Sequence, residues 1–304
     1  MRYVLQTKNL TKMYGKTKAK VVNRFSLNME KGHIYGLIGS NGAGKTTIMK
    51  MIAGIIMPDE GEIKLFENKN NLDKERSRMS FMIETPFIDG SMNARQNMQY
   101  IRFMRGVEDE KRIDEVLEFI GLKDARDKKV KLFSLGMKQR LAIGMALLPR
   151  PEIMVLDEPV NGLDPKGIVD IRNILKKLCE EQGITILISS HLLSELSELC
   201  TDYIIINKGT LIENMSVEEL EKKCRTYIAI RTNDIEKTAD ILEQKAGIEK
   251  YEVIENNEIH IYERLKDIEF ISKTITDNNL IITRLNTEGE NLEQYYLSKI
   301  SLED

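Results

Sequence analysis

The sequence lacks any long apolar run: nowhere in its 304 residues do about 18 apolar residues follow one another, the length that a membrane-spanning helix needs. The first ten residues, MRYVLQTKNL, also lack the apolar core and the small-residue cleavage site of a signal peptide. We therefore expect a cytoplasmic chain that crosses no membrane by itself. If its function involves a membrane, another chain supplies the span.

The sequence also lacks an excess of charge of one sign and a cysteine framework. It has 45 Lys and Arg against 48 Asp and Glu, a formal net charge of −3, so we expect no nucleic-acid partner. The three cysteines are far apart and form no Cys-x-x-Cys pair, which favours reduced thiols over a metal site or a disulfide: Cys179, Cys200 and Cys224. With 41% hydrophobic residues, the length suits two globular domains of ~100–200 residues each.

Residues 1–215 have the pattern of an α/β domain. Two alternating segments, YVLQTKNL and KVVNRFSLNM, predict an antiparallel strand pair with a hairpin around Gly15 to Lys18. The apolar segments IYGLIG, EIMVLDEP and ITILISSH predict strands of a mainly parallel sheet that is buried on both faces. From about residue 85 to 150 the periodicity is helical, which predicts a helical insert in this domain.

Residues 216–304 predict a second, smaller α+β domain. Its segments follow the order strand, helix, strand, strand, helix, strand, the βαββαβ order of a ferredoxin-like fold, with a last helix over NLEQYYLSKI. The region has no phosphate loop, no acidic cluster with metal spacing and no basic stripe. His260 lies on a predicted strand, where a structural role is favoured over a ligand role. A ferredoxin-like fold hosts many functions, so the fold alone assigns none.

The stretch LIGSNGAGKTT matches the phosphate-loop motif G-x-x-x-x-G-K-[ST] in full, and it follows an apolar strand and opens a helix. Glycines let backbone N–H groups curl around phosphates, and the start of a helix adds a partial positive charge. Lys45 is expected to reach the β- and γ-phosphates of ATP, and Thr46 to ligate Mg²⁺. The predicted phosphate-binding residues are Gly39, Ser40, Asn41, Gly42, Ala43, Gly44, Lys45, Thr46 and Thr47.

A second motif supplies two carboxylates. In IMVLDEP, Asp157 follows a fully apolar strand, where an acid can hold Mg²⁺ beside the phosphate loop. Glu158 comes next, where a general base can polarise a water aimed at the γ-phosphate. A solvated acidic turn is the alternative, and the four apolar residues directly before the pair argue against it. The two motifs together predict an ATPase.

A third motif lies in the predicted insert. In FSLGMKQR, Ser134 is a good helix N-cap, and the N–H groups of a helix start bind anions. This helix lies apart from the chain's own glycine loop. We therefore expect its N–H groups to bind a phosphate that is held by the glycine loop of a second copy of the chain. The phosphate loop, this segment, the Asp-Glu strand, NGLDP and SSH occur in the order of the ATP-binding cassette family, which residues 1 to about 215 resemble.

The resemblance implies a head-to-tail homodimer that holds two ATP molecules between its subunits. By position, Tyr14 resembles the aromatic that stacks on adenine, while Ser134 and Gly136 resemble the residues that grip the partner's γ-phosphate. Asp164 resembles the acid of the dimer-contact loop, and His191 resembles the catalytic histidine that contacts the γ-phosphate. Taken alone, Tyr14 would be a packed hairpin aromatic and His191 a helix-capping residue.

Two positions depart from the family pattern. The usual signature Leu-Ser-Gly-Gly-Gln is here FSLGM over residues 133–137, which keeps the serine and the second glycine. Glu84 stands where the family usually has a glutamine that touches Mg²⁺ and couples to the permease; a carboxylate binds metal more strongly, so Glu84 is a further predicted metal ligand. A tolerated loop acid is the alternative. Both departures resemble the cassettes of bacitracin and lantibiotic resistance or immunity exporters, which pair with separate permease chains.

The resemblance therefore implies an ATP-hydrolysing subunit on the inner face of the cell membrane, bound there to a permease that exports peptide antibiotics. Residues 84–105 are expected to touch the permease, and the second domain to regulate, to stabilise the dimer or to contact the permease. The alternatives are an exporter of a small drug or lipid and a soluble non-transport cassette. Ribosome-acting cassettes carry two phosphate loops and DNA-repair relatives carry long coiled coils, and this sequence has neither. A module that binds ATP without turnover is disfavoured because all the catalytic positions are filled.

Overall fold

The structure is a computed structural model that describes residues 3–15, 19–84, 88–190, 196, 198–224, 226–254, 258–289, 295 and 298–299. The predicted hairpin turn at residues 16–18, His191 and most of the predicted last helix lie outside these ranges. Contacts divide the chain into two compact units, and the division falls between Val217 and Glu218. None of the helices within the described ranges has the length and apolar character needed to cross a membrane.

The first unit combines two sheets with helices. Its strands are β1 (Tyr3–Tyr14), β2 (Ala19–Glu30), β3 (Ile34–Ile38), β4 (Glu60–Leu65), β5 (Met79–Met82), β6 (Ile153–Leu156), β7 (Thr185–Ser190), β8 (Asp202–Asn207) and β9 (Thr210–Ser216). Its helices are α1 (Lys45–Ala53), α2 (Leu72–Arg76), α3 (Ala94–Met104), α4 (Lys111–Phe119), α5 (Leu135–Leu147) and α6 (Pro165–Gln182), with two short 3₁₀ turns at Lys123–Ala125 and Val130–Leu132. This is the predicted α/β architecture.

The larger sheet has six strands in the order β5-β6-β7-β3-β8-β9. All neighbours run parallel except β8 and β9, which are antiparallel. Every residue of β3, β6 and β7 is buried, as the continuous apolar runs predicted. The smaller sheet, β2-β1-β4, is antiparallel, and β4 pairs with the predicted hairpin of β1 and β2.

The order of the larger sheet determines where the motifs meet. Strands β6, β7 and β3 are consecutive neighbours and point the same way, so their carboxyl ends lie side by side at one edge. The phosphate loop follows β3, and the acidic pair follows β6. Ligands of open parallel sheets bind at this carboxyl edge. Two motifs separated by more than a hundred residues in the sequence are thereby brought to one place.

Helices α3, α4 and α5 lie between β5 and β6 in the chain, and α5 packs against both α3 and α4. Asn93 begins α3 with a capping box, in which its side chain accepts from the N–H of Gln96 while the Gln96 side chain accepts from the N–H of Asn93. Ser134 is the N-cap of α5. The polar residues that begin α3 and α5 thus satisfy N–H groups that would otherwise lack partners.

The second unit contains strands β10 (Tyr227–Thr232), β11 (Tyr251–Ile254), β12 (Glu258–Ile261) and β13 (Ile282–Glu288), and helices α8 (Ile235–Gln244) and α9 (Ile268–Thr276). Helix α7 (Val217–Lys223) begins at the division between the units. The four strands form an antiparallel sheet in the order β11-β12-β10-β13. Alternate residues of β10 and β12, Ile228, Ile230, Ile259 and Ile261, are buried in one core. On the other face, His260 bonds to Glu258 and stacks on Tyr227.

Candidate active site

The phosphate loop joins β3 to α1 at the carboxyl edge of the larger sheet. Gly42 and Gly44 adopt φ of +82° and +101°, a left-handed conformation that glycine takes without strain. Gly44 is the N-cap of α1 and has no side chain to bond the first N–H groups of the helix. Those groups line a cleft of about 180 Å³ formed by the loop, Val21 and Glu158. A helix start without a side-chain cap is suited to binding an anion.

Lys45 is buried in this cleft, with 5% of its surface exposed. Its Nζ donates to the carbonyl oxygens of Gly39 at 2.7 Å and Ser40 at 3.3 Å, and lies 3.7 Å from Oε1 of Glu158. Burial lowers the pKa of Lys45, and the nearby carboxylates of Glu158 and Asp157 oppose that shift. The same cleft thus contains an ammonium group and the N–H groups of the loop and of the start of α1, the combination that phosphate binding needs.

Asp157 lies at the centre of a hydrogen-bond chain between the loop and β7. Its Oδ2 accepts from Oγ1 of Thr46 at 2.8 Å, and its Oδ1 accepts from Oγ of Ser189 at 2.6 Å. Ser189 in turn accepts from the N–H of Glu158 at 2.9 Å. The hydroxyl of Thr46 and the carboxylate of Asp157 thus present adjacent oxygen atoms beside the phosphate loop, and oxygen is the ligand that Mg²⁺ prefers.

Glu158 adopts a φ of +45°, which is rare for a residue with a side chain. Its Oε2 accepts from Nδ2 of Asn161 at 2.9 Å, while its Oε1 faces Lys45. The carboxylate is thereby fixed at the wall of the cleft, with about a quarter of the side chain exposed. Backbone strain at such a residue clusters at functional sites, where surrounding contacts maintain it.

Ser189 and Asn161 are contact residues that the sequence analysis missed. Ser189 bonds to both residues of the acidic pair, and Asn161 holds the carboxylate of Glu158. A signal existed for Ser189, because a serine next to the final residue of an apolar, fully buried strand needs a polar partner. Asn161 follows Glu158 by three residues in a turn, and the sequence offers no spacing rule that would assign this contact.

Glu84 and Lys50 form an ion pair at the start of the segment that leads to the helical insert. Nζ of Lys50 lies 2.5 Å from Oε1 of Glu84, and this hydrogen bond raises the pKa of Lys50. The Glu84 side chain is 64% exposed and its φ is +61°. Among the described residues, Lys50 is the charged side chain that contacts Glu84, and no three His, Cys, Asp or Glu side chains lie together as a metal-binding group.

Tyr14 ends β1 and is 45% exposed, so its ring is not packed in the core. The Nζ of Lys12 lies 5.7 Å from the centre of the ring. The aromatic face is therefore available at the surface of the smaller sheet. His191, the predicted γ-phosphate contact, lies outside the described residues.

A second cleft, of about 480 Å³, holds the remaining predicted residues: Ser134, Gly136 and Asp164. Two helix starts form it. Oγ of Ser134 accepts from the N–H of Met137 at 3.3 Å, and Oδ1 of Asp164 accepts from the N–H of Gly167 at 3.0 Å. The lining of this cleft shares no residue with the lining of the phosphate-loop cleft. The structure therefore places the predicted phosphate-loop residues and the predicted dimer-contact residues on two separate surfaces.

The sequence was compared with known protein families and with curated relatives. A sequence profile described as "ABC transporter" matches residues 22–161. The bacitracin transport ATP-binding protein BcrA of Enterococcus faecalis is 40% identical over 298 residues, which cover 97% of this chain and 96% of the relative. The lantibiotic transport ATP-binding protein SrtF of Streptococcus pyogenes is 40% identical over 209 residues, 69% of this chain and 89% of the relative.

Among solved structures, the dimeric post-hydrolysis state of the ATP-binding cassette MJ0796, bound to ADP and Pi, has a TM-score of 0.63 and 27% identity. It covers 70% of this chain, and the match spans 98% of the cassette. The match to BcrA, by contrast, is long enough to extend into the second unit.

Proposed function

Because the chain belongs to the ABC transporter family, as an ATP-binding subunit with ATPase activity, we propose that it powers a separate membrane permease that exports peptide antibiotics of the bacitracin or lantibiotic type. One observation carries the proposal: Lys45, Thr46 and Glu158 line a single cleft at the glycine loop, and the carboxylate of Asp157 accepts a hydrogen bond from Thr46. The names of the relatives BcrA and SrtF support the class of cargo. The chain then works at the inner face of the cell membrane, where the permease holds it.

The phosphate chain of ATP binds in the first cleft. Backbone N–H groups of residues 41–47 and the start of α1 surround the β- and γ-phosphates, and Lys45 neutralises part of their charge. Tyr14 stacks on the adenine. In this arrangement the protein supplies mainly position and charge, which is what phosphoryl transfer requires.

Thr46 and Asp157 hold Mg²⁺, since their oxygen atoms are already adjacent. When bound, Mg²⁺ neutralises the charge that develops on the β- and γ-phosphate oxygens. Ser189 keeps the Asp157 carboxylate turned towards Thr46 by bonding its other oxygen. Glu84, which is paired with Lys50, contributes to this site as a further ligand when that ion pair opens.

Glu158 acts as the general base. Its carboxylate, oriented by Asn161, accepts a proton from the water whose oxygen attacks the γ-phosphorus, while the bond to the β–γ bridging oxygen breaks and ADP leaves. His191, which directly follows β7 in the sequence, is the proposed contact of the γ-phosphate. Lys45 remains bound to the phosphates and stabilises the charge that forms.

A second copy of the chain completes each site through the second cleft. Gly136 supports this step, because a Cβ there would meet nothing closer than 3.9 Å within the described chain and its φ is not left-handed. A glycine in a helix costs roughly 0.5–1 kcal/mol relative to alanine, so a contact from outside explains it better than the fold does. Ser134 and Gly136 grip the partner's γ-phosphate, and Asp164 lies at the dimer contact.

The permease binds to the groove between β5, α3 and α5. This groove has a volume of about 530 Å³, and α3 presents three exposed apolar side chains beside it: Tyr100, Phe103 and Met104. Their i, i+3, i+4 spacing puts them on one face of the helix. These residues lie in the segment 84–105 that leads from the ATP site into the insert. Closure of the ATP-bound dimer then moves the permease.

Residues 216–304 form an accessory domain of the ferredoxin-like type, while residues 1–215 form the ATP-binding domain with its helical subdomain at about 85–150. The strand order β13-β10-β12-β11 and the βαββαβ sequence of elements support this assignment. The match to BcrA covers 97% of this chain and 96% of the relative, which supports an accessory domain that this chain and BcrA share.

Antibiotic susceptibility tests the proposal. The chain is expressed with its permease in a sensitive host, beside a Lys45→Ala version, and the host is exposed to bacitracin, to several lantibiotics and to unrelated drugs. We expect protection against one peptide class that the Lys45→Ala version does not give. If neither peptide class is tolerated better while another drug is, the cargo assignment is wrong and the ATPase assignment remains. If the Lys45→Ala version protects equally, the export proposal itself is wrong.

A further inference from the structure

A two-residue turn, Lys208 and Gly209, joins β8 to β9 and lies against the phosphate loop. Asn207 and Thr210 pair across the turn, and φ is +44° at Lys208 and +78° at Gly209. A type I′ hairpin turn requires positive φ at both of its central residues. The turn comes far later in the chain than the phosphate-loop motif, which does not include it.

Gly209 makes two backbone hydrogen bonds that tie the phosphate loop to β2. Its N–H donates to the carbonyl oxygen of Ala43 at 3.0 Å, and its own carbonyl oxygen accepts from the N–H of Asn23 at 2.9 Å. Ala43 belongs to the phosphate loop, and Asn23 follows Val21, which lines the same cleft. One glycine thus connects the two walls of the cleft.

The bond to Ala43 fixes the direction of the peptide that follows. In a trans peptide the C=O and the next N–H point in opposite directions, so a carbonyl of Ala43 held outward turns the N–H of Gly44 the other way, towards the cleft that Gly44 lines. We propose that Gly209 is a positioning residue for phosphate binding, because it aims the Gly44 N–H at a bound phosphate. This inference rests on the proposed use of the cleft as the ATP site.

The space around Gly209 explains why a side chain is excluded. A Cβ there would lie 2.7 Å from the carbonyl carbon of Val21 and closer still to its oxygen. A Cβ at Gly44 would lie 2.8 Å from the same oxygen and 3.5 Å from Cα of Gly209. The three backbones are packed against one another, and both obstructing atoms belong to main chain that cannot rotate aside. An added methyl group therefore pushes the turn away and releases Ala43.

Gly209→Ala tests the inference, with Gly32→Ala as its matched control. Gly32 has nearly the same φ, +76°, but a Cβ there meets nothing within 4 Å, so both variants carry the conformational strain and only one carries the clash. Affinities of the full chain for Mg-ATP and for inorganic tripolyphosphate are measured by calorimetry. We expect Gly209→Ala to lower the affinity for both ligands about tenfold or more, which is the effect of one lost hydrogen bond to a charged group. Gly32→Ala should leave both affinities unchanged.

Tripolyphosphate separates the phosphate cradle from the rest of the site. Tyr14→Ala is expected to lower the affinity for ATP alone, whereas Gly209→Ala lowers the affinities for ATP and for tripolyphosphate by the same factor. Parent-like affinity of Gly209→Ala for tripolyphosphate would overturn the inference and leave the ATP site intact. Failure of the parent chain to bind either ligand would overturn the proposed function, and the inference with it.

Hydrogen exchange of the parent chain gives a second measurement that does not depend on the variant folding. The Gly209 amide is expected to be protected with and without tripolyphosphate, since its acceptor lies within the chain. The Gly44 amide is expected to gain protection when tripolyphosphate is added. Rapid exchange at Gly209 without ligand, or unchanged exchange at Gly44 with it, would overturn the inference.

Discussion

The two clefts of the first unit are built in different ways. In the phosphate-loop cleft, charged side chains contact one another: Lys45 approaches Glu158, and Asp157 accepts from Thr46. In the second cleft, two of the polar side chains begin helices, and each already accepts an N–H from its own first turn: Ser134 and Asp164. The first cleft places a lysine beside a carboxylate at the glycine loop, whereas the second combines two helix starts and glycine backbone with further charged side chains: Arg140, Lys166 and Asp170. The difference supports the proposed arrangement, in which one surface performs the chemistry and the other receives a phosphate bound to a second copy.

Removal of the general base should have the largest effect. Glu158→Gln keeps the shape of the side chain but cannot accept a proton, so ATP turnover should fall by about 10²–10⁴-fold and the ATP-bound dimer should accumulate. Turnover and size-exclusion chromatography with ATP measure the two effects. Glu152→Gln is the matched control, because Glu152 pairs with Arg78 away from the cleft. Turnover of Glu158→Gln at the parent rate would show that the base is assigned to the wrong residue.

A mixture of two inactive chains should recover activity if the clefts act across the dimer. Lys45→Ala disables the first cleft, and Gly136→Leu fills the second. In a head-to-tail heterodimer of these variants one site is intact and the other has both defects. Equal mixing should then restore up to about a quarter of the parent ATPase, since half of the dimers are mixed and each has one working site.

The two variants measured separately are the controls for that mixture, and each should be inactive. Gly136→Leu should still bind ATP as a monomer, because its own phosphate loop is unchanged. If the mixture stays inactive while mixed dimers are detected by native mass spectrometry, the first cleft of one subunit and the second cleft of the other do not form one ATP site.

Loss of the amide that orients Glu158 should have a smaller effect. Asn161→Ala leaves the base in place but removes its 2.9 Å hydrogen bond, so kcat should fall about tenfold while KM for ATP changes little. Steady-state kinetics separates the two constants. Asn161→Asp serves as the control that keeps the size of the side chain and removes the donor, and it should behave no better than alanine.

Removal of the Lys50–Glu84 ion pair should have the smallest effect of these changes, and the effect should be on the free energy of unfolding. Both side chains are at least partly exposed, and exposed ion pairs contribute roughly 0.2–1 kcal/mol. Because the hydrogen bond raises the folded-state pKa of Lys50, its contribution is full below the ordinary lysine pKa of about 10.4 and is lost as pH rises through the raised value. Urea midpoints of the parent chain and of Lys50→Met should therefore differ at pH 8 and converge at high pH. A difference that stays the same as pH rises through the titration of Lys50 would assign the effect to packing.

Local sequence signals predicted the glycine-loop backbone between β3 and α1 and the buried strands correctly, for physical reasons. The backbone of Gly42 and Gly44 needs left-handed φ, and the motif has glycine at both positions. Strands β3, β6 and β7 are buried on both faces, and their sequences are continuously apolar. In each case the requirement of the structure is met by consecutive residues, so a short stretch of sequence contains the whole signal.

Contacts between distant residues could not be predicted in this way. Ser189 on β7 bonds to Asp157, which follows the neighbouring strand β6, and Lys50 meets Glu84 from a different element. The pairing of β4 with β1 and the antiparallel addition of β9 also depend on which edges remain open once the rest of the sheet has formed. The hydrophobic periodicity of a strand does not determine which strand it pairs with, because several neighbouring strands would fit the same pattern.

The position of β3 between β7 and β8 has a consequence for biosynthesis. The ribosome completes the phosphate loop early, but both flanking strands, and the turn at Gly209 that contacts the loop, are made more than a hundred residues later. At roughly 5–20 residues per second, this interval lasts about ten to thirty seconds. During that time the apolar β3 has no sheet neighbour to cover it. The nascent chain should therefore be unable to capture nucleotide until most of the first unit has emerged, and it should depend on chaperones over the same interval.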